Sequence, residues 1–139
     1  MPGQITAWFC NELLKTAFNR DTYTPPYTSL QVALTLDVPP LNIDSSQLVE
    51  PTDTSYARVV VPYNTANWTS SGFREVATAN AVTFPAATGF WGTVVGYVLL
   101  TVETTPRTVA VGVLVDPYRV VSGVQPQLPA GSISFGLYD

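Results

Sequence analysis

The feature that most constrains the fold of this chain is an uninterrupted apolar run, residues 93–102, which reads Thr-Val-Val-Gly-Tyr-Val-Leu-Leu-Thr-Val. β-Branched residues are frequent in the run, and the helix formers Ala, Glu and Lys are absent from it. The run therefore favours a strand that is buried on both faces, with a buried helix as the alternative. If it is the central strand of a sheet, the rest of the chain has to pair with it or cover it.

The residues before this run predict another strand and a turn. Residues 81–84 follow the pattern of a strand, Pro85 ends it, and residues 86–89 are small. An aromatic pair, Phe90 and Trp91, then leads through Gly92 into the apolar run. We therefore expect two strands within residues 80–102, joined across residues 85–92.

Segments with alternating or β-branched residues predict the other strands. Residues 30–36 alternate most clearly, so this strand should have an apolar face and a more polar face. Residues 73–79 predict a short edge strand. Asp116-Pro117 is expected to end the predicted strand of residues 108–115. The remaining predicted strands are residues 56–61, 108–115, 118–121 and 133–137.

One helix is predicted, near the N-terminus, at about residues 4–19. Its apolar residues recur at every fourth position and form a single stripe. A helix this apolar has to dock on the sheet of its own subunit or on another subunit. The stripe consists of Ile5, Phe9, Leu13 and Ala17, with Trp8 beside it and Cys10, Leu14 and Phe18 widening it.

The order of these elements predicts the fold class. Only loops and turns join the strands, and parallel strands would need long crossovers that are usually helical. We therefore expect a mainly β protein, an antiparallel β-sandwich that is jelly-roll-like, with seven or eight strands and one N-terminal α-helix. The length and the lack of repeats indicate that residues 1–139 form a single domain.

Charge and composition exclude several classes of function. Hydrophobic residues make up 46% of the chain and charged residues only 12%, so uncharged surface is either hidden against partners or kept soluble by Thr, Ser and Asn. The net charge is −4 and the few basic residues are scattered, so we expect no nucleic-acid partner. No apolar stretch reaches the roughly 18 residues of a membrane helix, so we expect no membrane partner. No signal peptide is recognisable, which indicates synthesis and assembly in a cytoplasm.

No group of residues predicts catalysis or a cofactor. Histidine is absent and Cys10 is the only cysteine, so no serine has a histidine base and no thiolate metal site exists. The carboxylates Asp37, Asp44, Glu50 and Asp53 share one loop and are interpreted as solvated charges. An oxygen-ligated calcium ion is the alternative for these four. Phe90 and Trp91 predict a pair of core aromatics, or alternatively a platform for a sugar ring. We expect no enzyme, no metal and no cofactor.

The loop of residues 37–53 is the best candidate for a partner contact. Loops of this length are uncommon and often functional, so we expect this one to project at a subunit contact or on an outer surface. A connecting loop without function is the alternative. Trp68, in the predicted polar loop of residues 63–72, should fold back onto the core or meet a partner. The candidate partner contacts are Asp37, Pro39, Pro40, Asp44, Pro51, Asp53 and Trp68.

Several segments together resemble a family of small tailed-phage virion proteins, often labelled phage tail fibre or structural protein. The most specific segment is residues 80–94, Asn-Ala-Val-Thr-Phe-Pro-Ala-Ala-Thr-Gly-Phe-Trp-Gly-Thr-Val. Four weaker segments occur in the same order as in the family: residues 11–14, 23–26, 56–59 and 129–133. This chain differs from the family pattern at Phe90, where a polar residue is usual, in its longer 37–53 loop and in its apolar 109–115 strand.

The residues of these motifs are of structural rather than reactive types. Asn80 can bond nearby backbone, Pro85 ends a strand, and Trp91 can fill the end of a core. Gly89 and Gly92 permit tight turns. The structural motif residues are Asn80, Phe84, Pro85, Gly89, Trp91, Gly92, Pro129 and Gly131.

The resemblance implies a structural protein of the virion, assembled in the bacterial host cytoplasm. The favoured role is a capsid decoration or cement protein on the outer capsid surface, a homotrimer that binds the major capsid protein and itself. The alternative is a tail fibre, baseplate or head–tail component that contacts other tail proteins or a host surface glycan. The chain lacks the shaft repeat of an extended fibre, which favours the first role.

Overall fold

A computed structural model describes residues 3–18, 29–62, 64–72 and 75–136. Its described part contains one α-helix, a 3₁₀ turn at Ser45–Gln47 and ten strands. The helix and the first five strands are β1 (Gly3–Ile5), α1 (Ala7–Ala17), β2 (Ser29–Thr35), β3 (Val59–Pro62), β4 (Trp68–Gly72) and β5 (Glu75–Thr78). The other strands are β6 (Val82–Thr83), β7 (Gly92–Thr101), β8 (Thr108–Val120), β9 (Gln127–Leu128) and β10 (Ser134–Gly136).

Eight of these strands form one sheet, in the order β3-β2-β7-β8-β1-β10-β5-β4. All neighbours in it are antiparallel except β1 and β10, which are parallel. The apolar run predicted to be central is β7, and it pairs along most of its length with β2 on one side and β8 on the other. The small second sheet pairs β6 with β9.

The main core lies between the inner faces of the curled sheet and the two-stranded sheet. Side chains from β2, β7, β8 and β10 meet there with Val82, Phe84 and Leu128 from the β6–β9 side. Because the large sheet curls, strands that are far apart in its order share this core. The fold is therefore mainly β and sandwich-like with one helix near the N-terminus, as predicted.

The outer face of β2, β7 and β8 carries a second, smaller apolar cluster. It consists of Ala33, Val98, Leu100 and Val111, and all four are buried. The cover comes from the β2–β3 connection (residues 36–58), whose Ile43 and Leu48 pack against the cluster. β7 is thus buried on both faces, which confirms the expectation for the apolar run.

The helix begins later than predicted, at Ala7. Gly3–Ile5 is extended because it pairs with β8 on one side and with β10 on the other. Thr6 then caps the helix, since its Oγ1 accepts a hydrogen bond of 3.3 Å from the Phe9 backbone N–H. Asn19, the predicted helix end, lies outside the described residues.

Only the first half of α1 docks on its own sheet. Trp8, Phe9 and Cys10 pack against the main core, as the stripe predicted. Leu14 and Phe18 do not, and Phe18 is 72% exposed. The helix is therefore anchored at its N-terminal end, and its other end leaves apolar side chains at the surface.

Asp116-Pro117 does not end a strand, contrary to the sequence-based expectation. β8 continues from Thr108 to Val120 because Gly96 pairs with Val113 and Val94 pairs with Tyr118. The residues between Val113 and Tyr118 therefore bulge opposite Val95, and a bulge tolerates a proline that cannot donate to the ladder.

Two further expectations are corrected near β4. The predicted polar loop of residues 63–72 contains strand β4, which begins at Trp68. The predicted edge strand of residues 73–79 contains β5, which lies inside the sheet between β4 and β10. Trp68 nevertheless folds back onto the core, since its ring meets that of Phe135 edge-on at 5.8 Å.

Within the described part of the chain, no helix has the length and apolarity needed to span a membrane.

Candidate functional site

The β2–β3 connection does not project from the body, contrary to the expectation for the 37–53 loop. The Leu36 backbone N–H donates to the Val49 carbonyl oxygen at 2.8 Å, and Thr108 Oγ1 donates to the Ile43 carbonyl oxygen at 2.8 Å. Asn42 Oδ1 accepts from the Ala7 N–H, at the start of α1. The connection is thus fixed to its own sheet and helix by polar contacts as well as by its apolar side chains.

A charged network holds the end of this connection. Arg58 makes two hydrogen bonds to the Glu50 carboxylate, of 2.9 Å from Nε and 2.8 Å from Nη2. The Tyr56 hydroxyl donates to Glu50 Oε1 at 2.7 Å and accepts from the Leu34 N–H at 3.0 Å. β3 pairs with β2 only as far as Val32, so the Leu34 N–H has no partner on β3. It donates to the Tyr56 hydroxyl instead. The predicted strand of residues 56–61 therefore begins at Val59.

The electrostatics of this network keep Tyr56 and Arg58 each in one protonation state. Burial raises the pKa of the Tyr56 hydroxyl well above its ordinary value, and the Glu50 carboxylate adds to the shift. The hydrogen bonds to Glu50 raise the pKa of the Arg58 guanidinium. Tyr56 therefore stays neutral and Arg58 charged over the whole physiological range, which makes this a structural clamp.

A second network joins the connection to the motif of residues 80–94. Ser55 Oγ accepts from Trp91 Nε1 at 3.0 Å and from the Thr88 N–H at 3.1 Å, and it donates to Asp53 Oδ2. This hydrogen bond from Ser55 lowers the pKa of the Asp53 carboxyl. The Trp91 ring meets the Tyr56 ring edge-on at 5.2 Å, so the two networks are in direct contact.

Two glycines of the motif suit this arrangement. A Cβ at Gly89 would collide with the Asp53 carboxylate, so the glycine allows the loop carboxylate to approach the motif. Gly92 has a φ of 103°, which side chains other than glycine rarely adopt, and it begins β7. The motif is therefore shaped to receive the β2–β3 connection and to turn into the central strand.

The other motif residues have local structural roles. Phe84 and Trp91 are core residues, and Asn80 Nδ2 donates to the Ala66 carbonyl oxygen at 2.7 Å. Pro85 is exposed and follows β6. The Pro129 carbonyl oxygen accepts from the Ser132 N–H and hydroxyl, and Gly131 has a φ of 80°.

The candidate partner contacts fall into two groups. Asp37, Pro40 and Asp44 are exposed on the β2–β3 connection. The other four are held inside the chain: Pro39 and Pro51 are buried, Asp53 is bonded to Ser55, and half-buried Trp68 packs on Phe135. The structure thus places Asp53 beside Trp91 and Gly89, a contact that the sequence did not predict.

The carboxylates of the connection do not converge. Glu50 is engaged by Arg58 and Tyr56, and Asp53 by Ser55 and Thr88. Asp44 caps the 3₁₀ turn, and the Ser46 N–H lowers the pKa of its carboxyl. Within the described residues, no group of three or more acidic or sulfur ligands could hold a metal ion.

The exposure of Phe90 corrects the expectation that Phe90 and Trp91 are both core residues. Trp91 is 2% exposed and belongs to the core, whereas Phe90 is 63% exposed and lies under the Arg119 guanidinium, 5.7 Å from its ring. The indole face of Trp91 is therefore not available to a sugar, and Phe90 is a surface residue. The sequence did not predict that apolar residues of β8 are exposed. The β-branched residues around Asp116-Pro117 could have indicated this.

The fold and these networks define a class: a mainly β, sandwich-like protein in which Glu50, Arg58 and Asp53 fix a loop of the chain itself. A family model described as Podophage GP4 fiber I protein gp80 (Gp80) matches residues 4–136. The chain therefore belongs to this family of tailed-phage virion structural proteins. Among curated proteins, none matches the chain.

Proposed function

We propose that the chain is a fibre subunit of a tailed-phage virion and that it works by contact rather than by catalysis. The observation that carries this proposal is the family match over residues 4–136, because the description of that family names a fibre protein. The geometry supports it, since Glu50, Arg58 and Asp53 of the β2–β3 connection are used within the chain. The partners proposed are further copies of this chain and other tail proteins, with a host surface glycan as the distal ligand.

The second candidate is a capsid decoration protein. It is favoured by the weakly charged composition and by the absence of a shaft repeat from the sequence, since a cement protein buries uncharged surface against its neighbours. In this role the chain would bind the major capsid protein and itself as a homotrimer on the outer capsid surface. The two candidates share a virion location and differ in the number of copies.

Copy number therefore tests the proposal. Quantitative mass spectrometry of purified virions, calibrated against the major capsid protein, measures the copies of this chain per particle. A fibre subunit should be present in about a few to a few tens of copies, because a tail offers only a small number of equivalent positions, each used by a small oligomer. A count on the order of hundreds would indicate head decoration instead, since a head repeats the same site over its whole shell.

Position provides an independent check. Antibody against the chain, imaged on intact virions by electron microscopy, should label the tail end of the particle. Label spread evenly over the head would overturn the fibre proposal, and absence of the chain from purified virions would overturn both candidates.

A further inference from the structure

An open cavity lies where three segments of the chain meet. They are the start of α1, the part of the β2–β3 connection around the 3₁₀ turn, and the β7–β8 turn (residues 102–107). The cavity has a volume of ≈ 360 Å³, which falls in the range of about 300–1,000 Å³ that is typical of small-molecule sites. We call it the helix-start cavity, and it is lined by residues 6–8, 42–45 and 105–108.

Contacts between the three segments hold the walls of the cavity in place. Thr6 Oγ1 donates to the Thr108 carbonyl oxygen at 2.7 Å, and Thr108 Oγ1 donates to the Ile43 carbonyl oxygen at 2.8 Å. The Arg107 guanidinium lies over the Trp8 ring, 4.9 Å from its centroid. Each segment is thus bonded to another, so the cavity is formed before any ligand enters and binding has little ordering cost.

Two side chains of the lining are each held through one atom and keep the other for a ligand. Asn42 Oδ1 accepts from the Ala7 N–H at 3.0 Å, so its Nδ2 remains as a donor. Asp44 Oδ1 accepts from the N–H and the hydroxyl of Ser46, so its Oδ2 remains as an acceptor. Both residues are exposed. The hydrogen bonds from Ser46 lower the pKa of the Asp44 carboxyl, so this acceptor is ionised at neutral pH.

A donor and an acceptor two residues apart suit a ligand with neighbouring hydroxyl groups. A hydroxyl both donates and accepts, so one hydroxyl can donate to Asp44 Oδ2 while the next accepts from Asn42 Nδ2. Ser45 and Thr105 add further hydroxyls to the lining. The lining also includes Trp8, and the C–H face of a sugar ring packs on apolar surface of this kind.

The charges of the cavity favour a neutral ligand. The Asp44 carboxylate repels an anion. The Arg107 guanidinium, the one cation in the lining, is already 3.6 Å from the Glu103 carboxylate. A hydroxyl-rich ligand without a charge therefore fits this cavity better than an acidic sugar or a phosphate.

We propose that the helix-start cavity binds a neutral saccharide through two neighbouring hydroxyl groups of one sugar ring. This inference rests on the proposed function, which gives the chain a host surface glycan as a ligand, and it assigns that glycan a site and a chemical class. Asp44 and Asn42 are the residues that select the hydroxyls, and Trp8 with Arg107 forms a fixed wall of the cavity.

Amide NMR spectra of the purified full chain test the proposal by titration. The probes are D-glucose, D-galactose, L-rhamnose and N-acetyl-D-glucosamine, with D-glucuronate as the anionic counterpart of glucose. At least one neutral sugar should give saturable shifts at residues 6–8, 42–45 and 105–108, with a millimolar dissociation constant because a ligand of few atoms gains little. D-glucuronate should bind more weakly than D-glucose. Absence of saturable shifts with all four neutral sugars, or shifts at another surface, would overturn the proposal.

Substitution of Asp44 tests the acceptor. In Asp44→Asn, Oδ1 stays with the Ser46 N–H, so the side chain presents an NH₂ donor where the carboxylate presented Oδ2. The dissociation constant should rise at least about fivefold, the equivalent of one hydrogen bond. The matched control is Asp37→Asn, at an exposed position of the same connection outside the cavity, and it should leave the constant unchanged. Equal affinities of the two variants would exclude Asp44 as the acceptor.

Filling the cavity tests the position of the site without changing Asn42 or Asp44. Thr105→Phe places a ring in the lining and should abolish the saturable shifts, whereas Thr104→Phe, at the exposed neighbour outside the lining, should preserve them. Dispersed amide spectra check that both variants are folded. Sugar binding that survives in Thr105→Phe would show that the ligand lies elsewhere. These titrations do not involve the virion, so their failure leaves the fibre proposal to the copy number.

Discussion

The β2–β3 connection and the exposed apolar residues at one end of β7 and β8 differ in composition and in exposure, each contrary to its residue types. We call these exposed residues the ribbon end: Phe90, Val113, Val115, Tyr118 and Val121. The connection is rich in prolines and polar residues and has the pattern of a projecting loop, yet it lies fixed on its own sheet. The ribbon end has the apolar, β-branched pattern of a buried strand, yet its side chains are exposed. Residue type therefore did not decide which of the two faces solvent.

Contacts within the chain decided which of the two regions is covered. The connection has an acceptor or donor for its main polar groups, in Arg58, Ser55 and the ends of neighbouring strands. It also supplies Ile43 and Leu48 to an apolar face that would otherwise be exposed. The ribbon end lies where β7 and β8 extend past β1 and β2, and its five side chains are exposed. Trp91, Val94 and Val120, on the same strand segments, point into the core and are buried. A surface is buried when both its apolar area and its polar groups find partners.

The largest effect on the connection side of this contrast is expected from Trp91→Ala. The indole fills the core and holds Ser55 and Tyr56, so its loss should lower the free energy of unfolding by about 3–5 kcal/mol in urea denaturation. The control is Phe90→Ala at the ribbon end, which should change it by less than about 0.5 kcal/mol in the monomer. A Trp91→Ala protein that unfolds like the wild type would show that the motif does not anchor the connection.

The charged clamp should contribute less. Glu50→Gln leaves Arg58 without a carboxylate, and since the two side chains are 19% and 24% exposed, we expect a loss of about 2 kcal/mol. Lys15→Gln in the more exposed pair with Glu12 is the control, with less than about 0.5 kcal/mol. Equal effects of the two substitutions in urea denaturation would mean that the connection is not held by its charges.

The apolar cover of the outer face should have a smaller effect. Leu48→Ala removes a half-buried side chain from the second cluster and should cost about 1 kcal/mol. Leu41→Ala, at an exposed position of the same connection, should be nearly neutral. If the two variants have the same melting temperature, the connection does not protect that face of β7.

The smallest effect concerns pH. Because Ser55 lowers the pKa of the folded Asp53 carboxyl, the ionised form adds stability above the unfolded pKa of about 3.9, and this stability is lost as the pH falls through the folded pKa. Asp53→Asn should therefore flatten the fall in melting temperature below about pH 4. Ser55→Ala should flatten it in part, since it removes the hydroxyl donor to Asp53 and leaves the backbone N–H donor in place. Wild-type steepness in both variants would contradict the hydrogen-bond assignment.

Much of the fold could be predicted because alternation is a local signal. The mainly antiparallel arrangement, the central place of residues 93–102 and the core position of Trp91 are confirmed, and most of the predicted strands are present. The start of α1 could not be predicted, because Gly3–Ile5 follows the helical stripe but is taken into the sheet by distant neighbours on β8 and β10. The strand β4 was missed for a related reason, since its polar residues are strand-forming only beside β5.

The site was less predictable than the fold. The sequence indicated the motif residues and the 37–53 loop separately, and only the structure brought Asp53 to Gly89 and Trp91. These contacts join residues more than thirty positions apart in the sequence, and no local periodicity predicts them.

The sequence by itself determined that this chain is a β protein with an apolar central strand and no histidine chemistry, because composition and alternation act on each segment alone. Its family segments also indicated a virion protein. The tertiary structure alone decided which segments are covered. Coverage depends on where strands end relative to their neighbours and on whether a distant side chain supplies the matching hydrogen bond, and both are properties of the assembled sheet.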